Sequence, residues 1–571
     1  MKRLLIYLKD YTLQSVMAPL FKLLEASFEL IVPLVIASII DIGIANGDKT
    51  YVLGRCGILI LLALVGMAAA ITAQYFAAKA ATGFGKGLRH SLYEKIQSLS
   101  FSELDNLGTS TLITRMTNDV NQVQNGVNLV LRLFLRSPFI VIGAMVMAFF
   151  IDVKCALIFA VAIVLLSVVV FSIMAYTIPK HKEVQGKLDS VTLITRENLN
   201  GARVIRAFTG EENEIKEFDK RNTALSVLQK TVGRISALLN PVTYVIINAA
   251  VIALIYSGAL RVDAGDLSQG QVVALYNYMS QILVELIKLA NLIVTVTKAF
   301  ASAGRINSVF EQENTLSHND NKKKSDKYIK FDNVSLIYKN ASAESLSNIS
   351  FDADKGDVIG IIGGTGSGKS SLVSLIPHFY DAADGAVYVF GHDVKSFDDN
   401  ELRSRIGYVQ QKAALFKGTV RDNMKWGKKD ATDDEIITAL KAAQIYDTVA
   451  EKGGLDFEIS QNGSNLSGGQ KQRLSVARAL VRKPDILILD DSSSALDFAT
   501  EAKLRDEIYA LDYNPTVFIV SQRASSVMSA DKIIVLDDGE CAGVGTHDDL
   551  LENCQVYNEI YTSQFGKENE S

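Results

Sequence analysis

The chain has 571 residues, too many for a single hydrophobic core, so two or more domains are expected. Its composition of 48% hydrophobic and 21% charged residues indicates a membrane part joined to a polar part. The net charge of −5 provides no basic surface, which argues against a nucleic-acid partner. The cysteines have neither metal-site nor disulfide spacing and are scattered at Cys56, Cys155, Cys541 and Cys554.

The first half of the sequence contains six apolar stretches of about 20 residues or more, the length that crosses a bilayer as a helix. These spans lie near residues 15–45, 52–78, 129–151, 155–178, 236–261 and 270–300. The loops after the second and fourth spans are long and rich in Lys and Arg. Because positive charge marks the cytoplasmic side, both long loops and both termini are predicted to be cytoplasmic. The N-terminal sequence MKRLLIYLKDY lacks a signal peptide's apolar core, so no cleaved leader is expected.

Several charged residues fall inside the predicted spans, where a charge is costly unless it faces a cavity or a partner. They are Glu25, Glu29, Asp41, Glu285 and Lys288. Glu285 and Lys288 stand three residues apart on one helix face, so they are a candidate ion pair. A role in a substrate pathway, local pairing and a position at a helix end remain open alternatives for each of them.

A polar segment at residues 311–327, EQENTLSHNDNKKKSDK, is typical of a linker. It separates a predicted membrane domain, residues 1–310, from a second domain, residues 328–571. In the second domain, short β-type runs alternate with helical patterns, which is typical of an α/β domain with a largely parallel sheet. The clearest runs are VIGIIG, AVYVFG, ILILD, TVFIVS and KIIVLDD.

The run VIGIIG leads into a glycine-rich loop that matches GxxxxGK[ST] between a strand and a helix. The loop consists of Gly363, Gly364, Thr365, Gly366, Ser367, Gly368, Lys369 and Ser370. Its glycines allow backbone N–H groups to surround phosphate oxygens, and the following helix adds its positive end. Lys369 is expected to reach the β- and γ-phosphates, Ser370 to ligate Mg²⁺, and Ser371 to take part in nucleotide binding. The motif predicts a nucleoside triphosphate site.

The run ILILD ends in two adjacent carboxylates, Asp490 and Asp491. Open α/β sheets bind ligands at the carboxyl ends of their strands. A buried strand that ends in acids is suited to a divalent cation, because Mg²⁺ prefers hard oxygen ligands. The sequence therefore predicts a cation next to the phosphate loop.

A second phosphate-binding device precedes a predicted helix at Gln470–Val481. Its residues are Ser467, Gly468, Gly469 and Gln470. It lies about a hundred residues beyond the first loop, too far along the chain to duplicate that loop. We therefore expect two copies of such a domain to face each other. Each nucleotide would then lie between one copy's phosphate loop and the other copy's Ser-Gly-Gly turn.

On these motifs the chain resembles one half of an ATP-binding cassette (ABC) exporter, with six spans fused ahead of a P-loop nucleotide-binding domain. TLITRMTNDV (residues 111–120) and NGARVIRAF (residues 200–208) resemble the family's two cytoplasmic loop segments. The resemblance implies ATP and Mg²⁺ as ligands and ATP hydrolysis coupled to transport. It also implies that Tyr338 stacks on adenine, that Gln411 and Asp490 contact Mg²⁺, and that Asp497 lies in the loop between two domains. In the same way, the Ser-Gly-Gly-Gln signature is expected to bind the partner's ATP.

Two positions depart from the family pattern. Asp491 replaces the glutamate that polarises the attacking water, and Gln522 replaces a histidine. A base must approach its water to about 2.6–3.2 Å, and aspartate is one methylene shorter. Glutamine has no proton to move near neutral pH. Because losing a positioned base costs about 10²–10⁴-fold in rate, these residues predict a site that binds ATP and hydrolyses it poorly.

The signature LSGGQ is intact, so the chain resembles the hydrolysis-impaired subunit of bacterial heterodimeric multidrug exporters. This implies a second half-transporter as partner and a small hydrophobic or amphipathic substrate. The segment YNEIYTSQFG (residues 557–566) also resembles that subfamily. A homodimeric exporter of drugs, lipids or peptides that tolerates both departures remains open. So does an ATP-gated channel or sensor.

Overall fold

The computed structural model of the chain describes residues 3–319, 324–339 and 341–566. Residues 320–323 of the predicted linker therefore lie outside the described residues. The chain forms two compact units. The first comprises Met1–Gln97 and Ser110–Glu311, and the second comprises Ser98–Thr109 and Gln312–Ser571.

The N-terminal part of the chain, up to residue 310, is helical. Its α-helices are α1 (Thr12–Ser38), α2 (Lys49–Gln97), α3 (Phe101–Leu107), α4 (Thr109–Thr114), α5 (Val120–Leu133), α6 (Arg136–Ile151), α7 (Val153–Asn200), α8 (Ala202–Ala207), α9 (Glu211–Ala237), α10 (Leu239–Asp263) and α11 (Gln269–Phe310). A 3₁₀ segment, Leu4–Tyr11, leads into α1. Two π-helical segments, Ile39–Ile44 and Arg115–Asp119, follow α1 and α4.

Among the described residues, six continuous helical stretches are long and apolar enough to cross a membrane. They are Leu4–Ile44, Lys49–Gln97, Thr109–Ile151, Val153–Asn200, Glu211–Asp263 and Gln269–Phe310. The six predicted spans are confirmed, and each falls within one of these stretches apart from residue 45. With 49 residues, α2 is about 70 Å long, more than twice the thickness of a hydrocarbon core. Helix α2 therefore extends well beyond the apolar segment predicted to cross the bilayer.

Several of the charged residues in the predicted spans form ion pairs. Lys288 Nζ lies 2.7 Å from Glu285 Oε1, as their spacing predicts. Glu285 is 2% exposed and also binds Arg136, whose Nη1 lies 2.5 Å from the same oxygen. The other Arg136 nitrogen, Nη2, lies 2.7 Å from Glu29 Oε2. These side chains come from α1, α6 and α11, so the buried ion pairs connect three helices.

The second unit is an α/β fold. Its strands are β1 (Ile329–Leu336), β2 (Leu346–Ala353), β3 (Val358–Gly363), β4 (Asp384–Val389), β5 (His392–Asp393), β6 (Ile406–Val409), β7 (Gly418–Thr419), β8 (Glu458–Ile459), β9 (Ile486–Asp490), β10 (Thr516–Ser521), β11 (Lys532–Asp537) and β12 (Glu540–Gly545). Its further helices are α12 (Lys369–Ser374), α13 (Asp399–Ser404), α14 (Val420–Lys425), α15 (Asp433–Ala442), α16 (Tyr446–Glu451), α17 (Gly468–Leu480), α18 (Phe498–Tyr509), α19 (Ala524–Val527), α20 (His547–Asn553) and α21 (Gln555–Phe565).

The main sheet has the strand order β12-β11-β3-β10-β9-β6. Its strands are parallel except for β12, which pairs antiparallel with β11. All five residues of β9 are buried, because Ile486 and Ile488 pack in one hydrophobic core while Leu487 and Leu489 pack in another on the opposite face. Val520 of β10 pairs with Asp490 of β9. The parallel register thus brings the carboxyl ends of β3, β9 and β10 to one edge.

One predicted run, AVYVFG, lies outside the parallel sheet. Its first four residues lie in β4, which pairs antiparallel with β1 and β5 in a four-stranded sheet. Only Phe390 and Gly391 separate β4 from β5, and both have positive φ, 54° and 75°. Such a two-residue turn joins antiparallel strands, whereas parallel neighbours need a crossover of about a dozen residues.

Candidate nucleotide-binding site

The glycine-rich loop connects β3 to α12 at the carboxyl edge of the main sheet. Gly368 has φ 93°, and a Cβ added there would lie 2.7 Å from the carbonyl oxygen of Ser345. A side chain at this position would be strained and would collide with backbone. Immediately after it, α12 begins at Lys369, where the sequence predicts a helix start. The loop therefore has the strand–loop–helix geometry that its motif requires.

Lys369 begins α12, and its buried side chain turns back to the loop. Its ammonium Nζ donates hydrogen bonds to the carbonyl oxygens of Gly363 (3.0 Å) and Gly364 (2.5 Å). Burial lowers the pKa of this ammonium, and the carboxylates of Asp491 and Asp490 partly oppose that shift. A buried cation bonded to neutral carbonyls is well placed to bind an anion. This position fits the phosphate-binding role predicted for Lys369.

Asp490 lies at the end of β9 and is 4% exposed. Its Oδ1 accepts a hydrogen bond from Ser370 Oγ at 2.7 Å, and its Oδ2 accepts one from Tyr408 Oη at 3.1 Å. Burial raises the pKa of this carboxyl, although the two hydroxyl donors act in the opposite direction. A hydroxyl and a carboxylate held together provide the hard oxygen donors that Mg²⁺ prefers. The residues present therefore fit a magnesium ion.

Asp491 follows in the left-handed region, with φ 47°, a conformation that aspartate tolerates better than most residues. Its backbone N–H donates to the carbonyl oxygen of Val520 at 3.0 Å. Its carboxylate Oδ2 accepts a hydrogen bond from Gln411 Nε2 at 3.0 Å. The structure thus brings Gln411 to the second acid, while the first acid binds Ser370 and Tyr408.

Gln522, at the end of β10, is exposed, and its Oε1 accepts a hydrogen bond from Thr365 Oγ1 at 3.4 Å. Thr365 and Gln522 lie on the wall of a cavity of about 340 Å³. The predicted site residues that line this cavity are Thr365, Gly366, Gly368, Lys369, Ser370, Ser371, Gln411, Asp491 and Gln522. The carboxyl ends of β3, β6, β9 and β10 therefore bring together residues from four separate sequence motifs.

Tyr338 does not line the cavity but contacts its wall. Its hydroxyl donates to Ser371 Oγ at 2.9 Å. Its ring meets the ring of Tyr380 edge to face, with centroids 5.1 Å apart and planes at 88°. Burial raises the pKa of the Tyr338 phenol. The predicted adenine-stacking residue is thus anchored to the first turn of α12.

The signature residues lie apart from this cavity, at the start of α17. Ser467 caps the helix, since its Oγ accepts from Gln470 N at 3.3 Å and its N–H donates to Gln470 Oε1 at 3.1 Å. Ser467 and Gly468 are exposed. Asp497 caps α18 by accepting a 2.9 Å hydrogen bond from Thr500 N, and it is exposed as well. The signature and Asp497 therefore present their polar groups to solvent, outside the cavity of their own chain.

Two buried contacts were not predicted from the sequence. Gln472, only 5% exposed, donates to the Gln411 carbonyl oxygen at 3.5 Å and accepts from Ala495 N at 3.2 Å. It connects the segment around Gln411 to the loop after Asp491. The second is the Tyr408 hydroxyl on Asp490. Tyr408 could have been suspected from the sequence, because it is a polar residue near the carboxyl end of β6, a strand that ends at the same sheet edge as β9.

The comparisons with known proteins agree with this architecture. Residues 15–286 match the ABC transporter transmembrane region, and residues 346–494 match the ABC transporter family model. An uncharacterized ABC transporter ATP-binding protein of Bacillus subtilis, YfiB, is 39% identical to this chain. The match covers 100% of this chain and 99% of YfiB. A putative multidrug export ATP-binding/permease protein of the same organism, YgaD, is 31% identical over 99% of each chain.

Among solved structures, a bacterial Atm1-family ABC exporter with ATP bound is similar, with a TM-score of 0.80 and 22% sequence identity. The similarity covers 97% of this chain and 98% of that chain. At this level of identity it supports the fold. The family models and the full-length relatives show that this chain belongs to the ABC exporter family, with a multi-pass transmembrane region and an ABC ATPase domain in one polypeptide.

Proposed function

We propose that this chain exports hydrophobic or amphipathic compounds across the cell membrane as one half of a heterodimer. Its partner would be a second ABC half-transporter, and the ATPase domain and both termini would be cytoplasmic. The relative named as a putative multidrug exporter supports this substrate class. The concentration of Lys and Arg in the two long loops supports the orientation.

ATP binding by this chain would use the cavity at the end of the main sheet. Lys369 would exchange its carbonyl partners for β- and γ-phosphate oxygens, and the loop N–H groups would hold the same phosphates. Ser370, Asp490 and Gln411 would hold Mg²⁺, which neutralises phosphate charge when bound. Tyr338, anchored on Ser371, would provide a ring for the adenine. These roles stem from the motif positions together with the observed contacts.

The pairing of Asp491 with Gln411, next to Gln522, is the observation that carries the proposal of weak hydrolysis. The Asp491 carboxylate is already hydrogen-bonded and is one methylene shorter than glutamate, so it is poorly placed to accept a proton from an attacking water. Gln522 can hydrogen-bond a γ-phosphate but cannot transfer a proton. We therefore assign this site to ATP retention rather than to rapid turnover.

The signature would act on the partner's nucleotide. Ser467, Gly468 and the start of α17 are exposed, and a helix N-terminus favours an anion. This surface would complete the partner's site, where a competent glutamate and histidine would hydrolyse ATP. Asp497 lies in the loop that would adjoin the partner's ATPase domain.

ATPase measurements on the purified chain test the weak-hydrolysis proposal. The wild type should turn over slowly, whereas Asp491→Glu combined with Gln522→His should increase turnover by about 10²-fold or more. Both proteins must first be shown to be dimeric by light scattering, because the proposed sites need two copies. Asp512→Glu, an exposed aspartate outside the cavity, is the matched control. If dimeric wild type hydrolyses ATP rapidly, within about threefold of an active double variant, the weak-hydrolysis proposal is wrong and the homodimeric alternative is favoured.

Transport into inside-out vesicles tests the role of the signature. The chain would be co-expressed with a half-transporter that has glutamate and histidine at the matching positions, and uptake of a hydrophobic dye would be followed. Gly468→Asp should abolish uptake while leaving ATP binding by this chain's own loop unchanged. The substitution is compatible with folding, since a Cβ at Gly468 meets no atom closer than 3.6 Å. Normal uptake with this variant would contradict the proposed action of the signature on the partner's nucleotide.

A further inference from the structure

We propose that Tyr408 is a positioning residue for Asp490, and that its own position depends on helix α3 through Phe379 and Phe101. This inference rests on the proposed role of Asp490 as a cation ligand. It adds a residue that lies outside the cavity and that sequence motifs did not identify.

Asp490 is fixed from two sides. Ser370 Oγ donates to Oδ1 at 2.7 Å, and Tyr408 Oη donates to Oδ2 at 3.1 Å. When Ser370 and Asp490 both turn to a cation, the Tyr408 hydroxyl is the donor that keeps the carboxylate plane in place. Ser370 has a proposed role as a cation ligand, whereas Tyr408 has no proposed role in binding the cation or the phosphates. Ligating carboxylates in metal sites are typically held by such hydrogen bonds.

Tyr408 is itself held by an aromatic contact. It lies on β6, opposite Ile488 in the parallel pairing with β9. Its ring meets the ring of Phe379 edge to face, with centroids 5.3 Å apart and planes at 70°. The guanidinium of Arg403 covers Phe379 at 5.4 Å from the ring centroid. The hydroxyl can therefore reach Asp490 from a fixed ring.

Phe379 connects Tyr408 to α3, which belongs to the same compact unit. The rings of Phe101 and Phe379 lie 4.3 Å apart. The result is a continuous series of contacts from α3 to Asp490, formed by three aromatic side chains. By sequence, α3 directly follows α2, one of the six candidate membrane spans.

A second series of contacts leads from α3 to the same site. Tyr380 Oη donates to Asp105 Oδ2 at 2.6 Å, and the Tyr380 ring meets Tyr338. Tyr338 in turn bonds Ser371 in the first turn of α12. Two separate series therefore begin on α3 and end on residues that flank the nucleotide cavity. Movement of α3 would disturb Asp490 through the first series and the phosphate-loop helix through the second.

The test measures cation binding rather than turnover. Mn²⁺, which replaces Mg²⁺ and is visible by electron paramagnetic resonance, would be titrated into the full chain saturated with a non-hydrolysable ATP analogue. Tyr408→Phe removes one hydroxyl and keeps the ring. It should weaken Mn²⁺ binding by about tenfold, the low end of the loss typical for such supporting residues. Affinity for the nucleotide in EDTA should stay unchanged.

Two variants separate positioning from general damage. Tyr446→Phe, on α16 and outside the cavity, is the matched control and should leave Mn²⁺ affinity unchanged. Phe101→Ala leaves the Tyr408 hydroxyl in place but removes the contact with α3, and it should weaken Mn²⁺ binding by about threefold. If Tyr408→Phe binds Mn²⁺ within twofold of the wild type, the positioning role is wrong. If Tyr408→Phe weakens Mn²⁺ binding but Phe101→Ala does not, the dependence on α3 is wrong.

A different result would contradict the proposed function. Rapid ATP turnover by the wild-type chain would contradict weak hydrolysis, yet it would not alter this comparison, which uses no hydrolysis. Loss of nucleotide binding in EDTA by Lys369→Ala reports on the phosphate loop alone. The two proposals therefore have separate readouts.

Discussion

The side chains of Arg136 and Glu285 form an ion pair that is buried among the apolar helices of the first unit. Arg136 Nη1 lies 2.5 Å from Glu285 Oε1, and their side chains are 8% and 3% exposed. The two residues are 149 positions apart in the sequence. Ser137 Oγ donates to the other Glu285 oxygen at 2.7 Å. A buried pair with supporting hydrogen bonds is costly to break.

Removing one member of this pair should therefore destabilise the first unit. Arg136→Leu leaves Glu285 and Glu29 without their shared cation, and we expect a loss of about 3 kcal/mol or more. Thermal unfolding in detergent micelles would measure it. Lys180→Ala removes the more exposed pair with Glu183 and should lower the melting temperature much less, because solvent screens such a pair. Equal melting temperatures for both variants would show that the Arg136 pair contributes little.

Lys369 should determine nucleotide affinity. Its ammonium is buried and bonded to loop carbonyls, and a charge-assisted bond contributes about 1.5–3 kcal/mol. Lys369→Ala should therefore weaken ATP binding by about tenfold or more, measured by displacement of a fluorescent ATP analogue. Lys355→Ala, an exposed lysine, is the control and should bind normally. Unchanged affinity in Lys369→Ala would argue against a phosphate contact.

The residue at position 491 should affect the rate of ATP hydrolysis only when it is a base long enough to reach the attacking water. Asp491→Asn should change the slow ATPase of the wild type by less than about threefold, because we assign no base role to Asp491. In a Gln522→His background, Asp491→Glu should exceed Asp491→Gln by about 10²-fold or more, since the two side chains have equal length and only the first is a base. A large loss of rate in Asp491→Asn alone would show that Asp491 already acts as a base.

Asp381 should give a stability contribution that depends on pH. Its Oδ1 lies 2.9 Å from the ring nitrogen Nε2 of fully buried His378, and its Oδ2 accepts from Ser317 N at 2.7 Å. Burial alone would raise the pKa of this carboxyl, but these hydrogen bonds hold the pKa below its ordinary value. The contribution is therefore fully present above the unfolded pKa, near 4, and is lost as the pH falls through the folded pKa.

Asp381→Asn should accordingly lower the melting temperature at pH 7, and the difference from wild type should stay constant down to about pH 5. Below about pH 4 the two proteins should converge. Asp384→Asn, an exposed aspartate nearby in sequence, should show no such trend. A difference that grows on acidification would have the wrong sign for a lowered pKa.

The features that the sequence predicts well are those with a local signal. Strands β3 and β9 and the start of α12 are marked by short apolar runs next to a motif with one backbone geometry. The ion pair of Glu285 and Lys288 is similarly readable, because residues three apart share a helix face. Each of these signals is complete within a few residues.

Features that depend on the pairing of distant segments could not be predicted. The Tyr408 hydroxyl reaches Asp490 across 82 positions, because β6 and β9 are neighbours in the sheet. Arg136 joins Glu285 because three helices pack together, and no local pattern indicates that arrangement. The antiparallel pairing of β4 follows from a two-residue turn whose sequence, Phe-Gly, is not a strong turn signal.

The second unit is assembled from two separate pieces of chain, Ser98–Thr109 and Gln312–Ser571. A fragment that begins at the linker would consequently lack α3, although it would contain every nucleotide-site motif. The rings of Phe379 and Tyr380 would lose the cover that Phe101 provides, and the Thr315 hydroxyl would lose its acceptor, the carboxylate of buried Glu103. An ATPase domain expressed alone should therefore be prone to aggregate. Supplying residues 98–109 as a peptide should improve its solubility.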